Sequence, residues 1–145
     1  MPTILGAKYL PTWEGLPPHM SPEDYDIWKR YKPQVVKDAL AVYYDVGLGG
    51  QITVPPGTTP EMARMWFRNT QKRIDVLLDY GIGWVIVELR VDASSSAIGR
   101  LLFYRDLWQQ DPPDKRPIIL RLVTNREDRE IRGLTQKLDI DYIVV

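Results

Sequence analysis

At 145 residues, with 44% hydrophobic side chains, the chain fits one ordinary domain built around a single core. Nineteen basic and nineteen acidic residues leave no net charge, which excludes a global field drawing the protein onto nucleic acid or an anionic membrane; any polyanion site has to be local. The lack of cysteine excludes disulfides and thiolate metal centres, and the lone His19 cannot build an imidazole site within one chain, so only oxygen ligands and ions such as Mg²⁺ or Mn²⁺ remain.

No stretch has the basic region and apolar run of a signal peptide or the roughly 18 apolar residues of a membrane span, so a cytoplasmic or virion location is expected, with no membrane partner. Residues 1–34 carry six of the twelve prolines together with Tyr9, Trp13, Tyr25, Trp28 and Tyr31. Disordered tails are poor in aromatics, so this stretch reads as an extended arm that packs either on its own domain or on a neighbouring subunit. Within it, Ser21-Pro22-Glu23-Asp24 offers an N-cap, a first-turn proline and first-turn acids, and predicts a short helix ending before Pro33.

From residue 35 onward the elements of one domain follow. Ala39 to Val46 reads as a strand, and Gly47 to Thr59, with four glycines and two prolines, as a long loop. Thr59-Pro60-Glu61 caps a helical turn through Met65. Arg73 to Asp79 and Trp84 to Val91 form strands around a hairpin turn at Tyr80-Gly81-Ile82-Gly83. Both alternating faces of the second strand are apolar, Trp84 and Ile86 against Val85, Val87 and Leu89, which marks a central strand covered on both sides. A helix from the serines at 94–96 to about Gln110 places Ile98, Leu101, Leu102, Arg105 and Trp108 at helical spacing until Asp111-Pro112-Pro113 stops it. Pro117 to Thr124 is a strand. Asn125 caps a helix with Glu127 and Asp128 in its first turn and a buried stripe of Ile131, Leu134 and Leu138, and Asp141 to Val145 closes the chain as a strand. Three antiparallel strands followed by helix, strand, helix and strand make an α/β fold, a mixed sheet flanked by helices.

Acidic residues interrupt two neighbouring aliphatic runs, Asp75 in Ile74-Asp75-Val76 and Glu88 in Val87-Glu88-Leu89. An isolated buried carboxylate costs several kcal/mol unless a cation or an arginine meets it. On a two-residue period Glu88 and Arg90 share a face, and a suitable register brings Asp75 beside Glu88. Those two carboxylates and the Leu89 carbonyl would give a hard cation three oxygen ligands, with water and phosphate completing an octahedron.

This pattern resembles the PD-(D/E)XK nuclease superfamily, whose core runs strand, strand, strand, helix, strand, helix, with Asp on one strand and Glu-x-Lys on the next. The resemblance covers residues 39–145 and implies a restriction-endonuclease-like sheet. The helix segment Ala97 to Tyr104 stands where RecB-type members carry Gln-x-x-x-Tyr, which aligns Arg100 and Tyr104 with that motif. If the site is active, the resemblance assigns Mg²⁺ or Mn²⁺ to Asp75, Glu88 and the Leu89 carbonyl, with Arg90 and Arg100 stabilising charge on the phosphorane. Two departures fall at the centre of the motif, Arg90 in place of lysine and Arg100 in place of glutamine. Arginine stays protonated and cannot act as a general base. Two acids and two arginines sum to zero charge and reduce the need for a cation.

Other residues carry plainer readings. Arg64, Arg68, Lys72 and Arg73 with Trp66 and Phe67 mix cations with stacking surfaces as a nucleic-acid backbone site does, or form a solvated face. Asp45 either joins the acidic site or ends its strand. Gly47-Leu48-Gly49-Gly50 lacks the lysine of a phosphate loop and reads as a turn. His19 reads as an exposed arm residue, and Arg126, Arg129 and Arg132 as a solvated helix face. The expectation is a non-catalytic structural or assembly protein needing no cofactor. Its arm binds other subunits, as a homo-oligomer or within a larger assembly, and a compact cysteine-free domain with such an arm is similar to phage head-tail connector or head-completion components. The alternative is a Mg²⁺- or Mn²⁺-dependent deoxyribonuclease acting on nucleic acid.

Overall fold

The computed structural model describes residues 3–50 and 53–145. Positions 1 and 2 of the arm, and 51 and 52 of the expected loop, lie outside them. Along the chain run α1 (Pro22–Asp38), β1 (Ala41–Leu48), α2 (Pro60–Thr70), β2 (Lys72–Asp79), β3 (Trp84–Arg90), α3 (Ser95–Gln110), β4 (Ile118–Thr124), α4 (Arg129–Lys137) and β5 (Ile140–Val144).

The strands form one sheet in sequence order, β1 to β5. Short connections make β1, β2 and β3 antiparallel, with Tyr80 N–H donating to the Gly83 carbonyl across the β2–β3 turn. Crossovers through α3 and α4 make β3, β4 and β5 parallel. Both crossovers step the same way along the sheet, so both helices lie on one face. The protein is therefore α/β, with a mixed sheet flanked by helices on both faces as its sequence implies.

β3 is central, and every residue from Trp84 to Leu89 is buried. Trp84 and Ile86 meet Leu101, Tyr104 and Trp108 of α3 and Ile131 of α4 in one layer. Val85, Val87 and Leu89 meet Ile27, Trp28, Tyr31 and Val35 of α1 in the other. The arm packs on its own domain over this second layer. Ile4 and Tyr9 bridge to Gly47 and Val42, covering part of the β1 edge, and the Tyr9 ring lies 4.5 Å from Trp13 and 5.1 Å from Tyr44.

Three local expectations are corrected. The first helix does not end before Pro33 but runs 17 residues to Asp38. An internal proline costs a helix about 3 kcal/mol, and the burial of Ile27, Trp28, Tyr31 and Val35 along one stripe that passes the proline outweighs it. The cap of α4 is Asp128, whose Oδ1 accepts from the N–H groups of Glu130 and Ile131 at 3.0 Å, while Asn125 accepts from Asp92 N–H instead. With that start the buried face holds Ile131 and Thr135, and Leu134 is left exposed. The turn after Thr59 becomes a helix of 11 residues, none of them buried.

Candidate functional site

Asp75 and Glu88 converge because the sheet is irregular where β1 and β2 pass the end of β3. The β1–β2 ladder runs Tyr44↔Val76 and resumes at Val46↔Ile74, leaving Asp45 and Asp75 unmatched. Asp45 takes a left-handed conformation with φ of 52°. Across this step both strands exchange faces: Tyr44 and Val76 join the α1 layer, and Val46 and Ile74 the α3 layer. The β2–β3 ladder ends at Val76↔Val87, and one further step places Asp75 opposite Glu88. The strands part there, and the Asp75 carboxylate takes over from the ladder, its Oδ2 accepting from Leu89 N–H at 2.9 Å. Leu89 thus contributes its N–H to the acid pair, where the sequence pattern singled out its carbonyl.

Glu88 is 1% exposed and its charge is matched by cations from two elements. Arg90 Nη2 lies 2.9 Å and Arg100 Nε 3.0 Å from Glu88 Oε2. The Tyr104 hydroxyl lies 3.3 Å from Oε1, donates to the Arg73 carbonyl at 2.7 Å, and accepts from Arg100. Ser96, at the start of α3, accepts from Arg90 Nη1 at 3.2 Å. β3 thus supplies Glu88 and Arg90 on one face, and α3 supplies Ser96, Arg100 and Tyr104 to meet them.

Burial, and next the negative charge of Glu88, push the Asp75 carboxyl well above the usual carboxylate range. The Leu89 N–H opposes that rise, and a hydrogen bond to Glu88 favours the protonated form. Burial and the neighbouring Glu88 thus both bias Asp75 toward its protonated form, beside a Glu88 side chain held by two guanidinium groups. Burial also raises Tyr104, with Glu88 and Asp75 adding to it. Asp24 reaches the same field from α1: burial raises it, its bond from Ser21 lowers it, and Glu88 raises it further.

This donor set does not fit Mg²⁺ or Mn²⁺ as arranged. A hard cation takes about six oxygen ligands, and whatever water and phosphate do not supply must come from ionised carboxylates or carbonyls. Here the Asp75 carboxyl is biased toward its protonated form and already accepts the Leu89 N–H, and Glu88 Oε2 already holds two guanidinium nitrogens. Among the described residues there is no group of three or more His, Asp or Glu side chains able to hold a metal.

All five side-chain and backbone positions singled out around Asp75, Glu88, Leu89, Arg90 and Arg100 meet in this cluster, and Tyr104 closes it. Arg73, Ser96 and Asp24 join unforeseen. The helix-cap pattern that places Asp24 at the start of α1 carries no hint of β2 or β3. Asp45 serves elsewhere, its Oδ2 2.7 Å from Arg73 Nη1 and 3.8 Å from the exposed His19. The expected basic-aromatic face is split: Arg73 donates to the Arg68 carbonyl, Arg68 bonds Gln71, and Lys72 lies over the Phe103 ring, while Arg64 and Trp66 stay exposed. Gly49 and Gly50, with φ of 63° and 110°, form a left-handed turn held by Gln71. Arg132 pairs with Glu127 on the exposed face of α4.

Among the described residues no helix is long and apolar enough to cross a membrane. No protein-family model matches the chain, and no curated protein or solved structure is significantly similar to it.

Proposed function

We propose that this chain is a non-catalytic structural or assembly protein on a degenerate nuclease-like fold, acting in the cytoplasm or in a virion as a head-tail connector or head-completion component does. The observation that carries this reading is the closed set of bonds around Glu88. Its carboxylate is held by Arg90, Arg100 and Tyr104, and the Asp75 carboxyl beside it is biased toward its protonated form. Arginines of fixed charge fill the place a cation and a water-activating lysine would need. Such a cluster ties β2, β3 and α3 together, which is a structural task. Thermal unfolding in EDTA and in excess Mg²⁺ tests it. Equal midpoints agree with a cluster closed by arginine, and a midpoint raised by Mg²⁺ in the wild type but not in Asp75→Ala contradicts it.

A second reading, a metal-dependent deoxyribonuclease, is favoured by one observation: Asp75 and Glu88 do meet. On that reading both arginines swing away from Glu88 and Asp75 is ionised before a cation enters. Arg90→Lys then raises cleavage, whereas no change with lysine argues against a catalytic role for the cluster.

A further inference from the structure

The arm is tied down along its length and joined to α1 by a bent link. The Thr3 N–H and hydroxyl donate to the Asp111 carboxylate and carbonyl at 2.6 and 2.7 Å. Ile4 and Tyr9 each exchange a pair of backbone bonds, with Gly47 and Val42 respectively. The Trp13 ring lies 6.1 Å from Tyr44, and the Trp13 carbonyl accepts from Lys32. Residues 14–20 then turn the chain back to Ser21, the cap of α1, and all of 14–19 except Pro17 are exposed. This link holds two left-handed residues. Gly15 has φ of 152°, and a Cβ there would strike the Trp13 ring. His19 has φ of 60°, a conformation that strains a residue bearing a Cβ. The turn at its end is closed by Met20 N–H donating to the Pro17 carbonyl at 3.4 Å, although Pro17-Pro18 favours extended backbone.

We infer that two copies of this chain trade arms: residues 14–20 open into an extended link, and the arm of each copy lies on the β1 seat of the other. This rests on the assembly reading and names its partner, a second copy. The contacts themselves say what fills the seat, because it is already filled by residues 3–13, and a second copy brings the same residues to the same partners. Thr3 meets Asp111, Ile4 meets Gly47, Tyr9 meets Val42 and Trp13 meets Lys32 whichever chain supplies them. The trade therefore leaves the arm and its seat unchanged and alters the link alone. There it releases the left-handed His19 and lets Pro17-Pro18 extend, once in each copy. Seven extended residues reach about 24 Å, enough to cross to an adjoining molecule while keeping the two bodies together. A reciprocal pair leaves no arm unseated and no seat empty. Association costs freedom of motion, so single copies prevail in dilute solution and pairs in concentrated solution.

The chain has no cysteine, so single introduced cysteines report the seating directly. Thr3→Cys on a chain lengthened by a tag is mixed with untagged Asp111→Cys at high concentration. Brief unfolding and refolding in urea lets the arms trade, and a short bis-maleimide then joins neighbouring thiols. A bond between tagged and untagged chains forms where the arm of one copy lies on the other. The expected product has the summed length of both chains and exceeds that obtained with Leu134→Cys in place of Asp111→Cys. Leu134 is exposed on α4, which packs on β5 at the opposite edge of the sheet from β1. Thr12→Cys with Lys32→Cys, which line one cavity, repeats the design should a first variant misfold. Sedimentation of the wild type should show pairs that separate on dilution. His19→Gly, which takes the left-handed conformation without strain, should weaken pairing about fivefold per link. A joined product no greater than with Leu134→Cys, a wild type that stays single at every concentration, or His19→Gly pairing as tightly as wild type overturns the exchange. The assembly reading itself fails on a separate readout, DNA cleavage abolished by Asp75→Ala.

Discussion

Replacing Glu88 by glutamine preserves the volume of the side chain and removes its charge, so it measures what the two arginines gain from the carboxylate. Glu88 is buried, and a hydrogen bond to a charged group contributes about 1.5–3 kcal/mol net. The Arg90 side chain is 29% exposed, which places its share near the low end of that range, about 1.5 kcal/mol. Arg100 is 51% exposed and is screened by solvent, so its share falls to about 0.5 kcal/mol. The full cost of stranding a buried charge, about 3–5 kcal/mol, is not reached, because both guanidinium groups can turn outward to water. The expected loss is about 2 kcal/mol, a fall in Tm of roughly 4–8 °C for a chain of this size. Urea unfolding followed by tryptophan fluorescence reads it, with an unchanged m value. Pairing Glu88→Gln with Arg90→Gln and then with Arg100→Gln in double-mutant cycles should give the larger interaction energy for Arg90. A Glu88→Gln protein within about 0.5 kcal/mol of wild type, or no interaction energy with Arg90, refutes the reasoning.

Asp75→Asn fixes the side chain in the shape of its protonated form. Because the folded state raises Asp75 above its unfolded value of about 3.9, the stability it contributes is complete below that value and is lost as pH climbs through the folded one. As pH rises above the unfolded value, the variant should lose less stability than wild type and end more stable at the alkaline side, and parallel urea-unfolding profiles would remove Asp75 as the cause. Tyr9→Ala deletes the ring contacts with Trp13 and Tyr44 and should cost about 1–2 kcal/mol while speeding proteolysis within residues 3–20. Unaltered cleavage rates there mean that another contact holds the arm.

Local pattern carried the sheet further than the helix ends. The two apolar faces of Trp84 to Leu89 announce a covered central strand, and the lengths of the connections fix which neighbours run parallel. Pro33 misleads because a local penalty is legible in a sequence and the burial that exceeds it, on Trp28, Tyr31 and Val35, is not. Asn125 and Asp128 compete as caps of equal chemical merit, and only the path of the chain after β4 decides between them. The acid pair was legible as two carboxylates on adjacent strands. The left-handed Asp45 and the change of faces at Asp75 were not, since no glycine marks them. Nor does sequence show the bias of Asp75 toward its protonated form, which follows from burial and from Glu88 together. The aromatic arm announced that it packs on something, and its bridges to Gly47 and Val42 identify its own sheet as the surface.

The most direct test of a cluster closed by arginine is cleavage of linear double-stranded and single-stranded DNA by the purified protein, in Mg²⁺ and then in Mn²⁺, with Asp75→Ala prepared in parallel. Equal and negligible cleavage by both proteins is the expected result. Metal-dependent cleavage by the wild type that disappears in Asp75→Ala would contradict it and make Asp75 and Glu88 a working cation site.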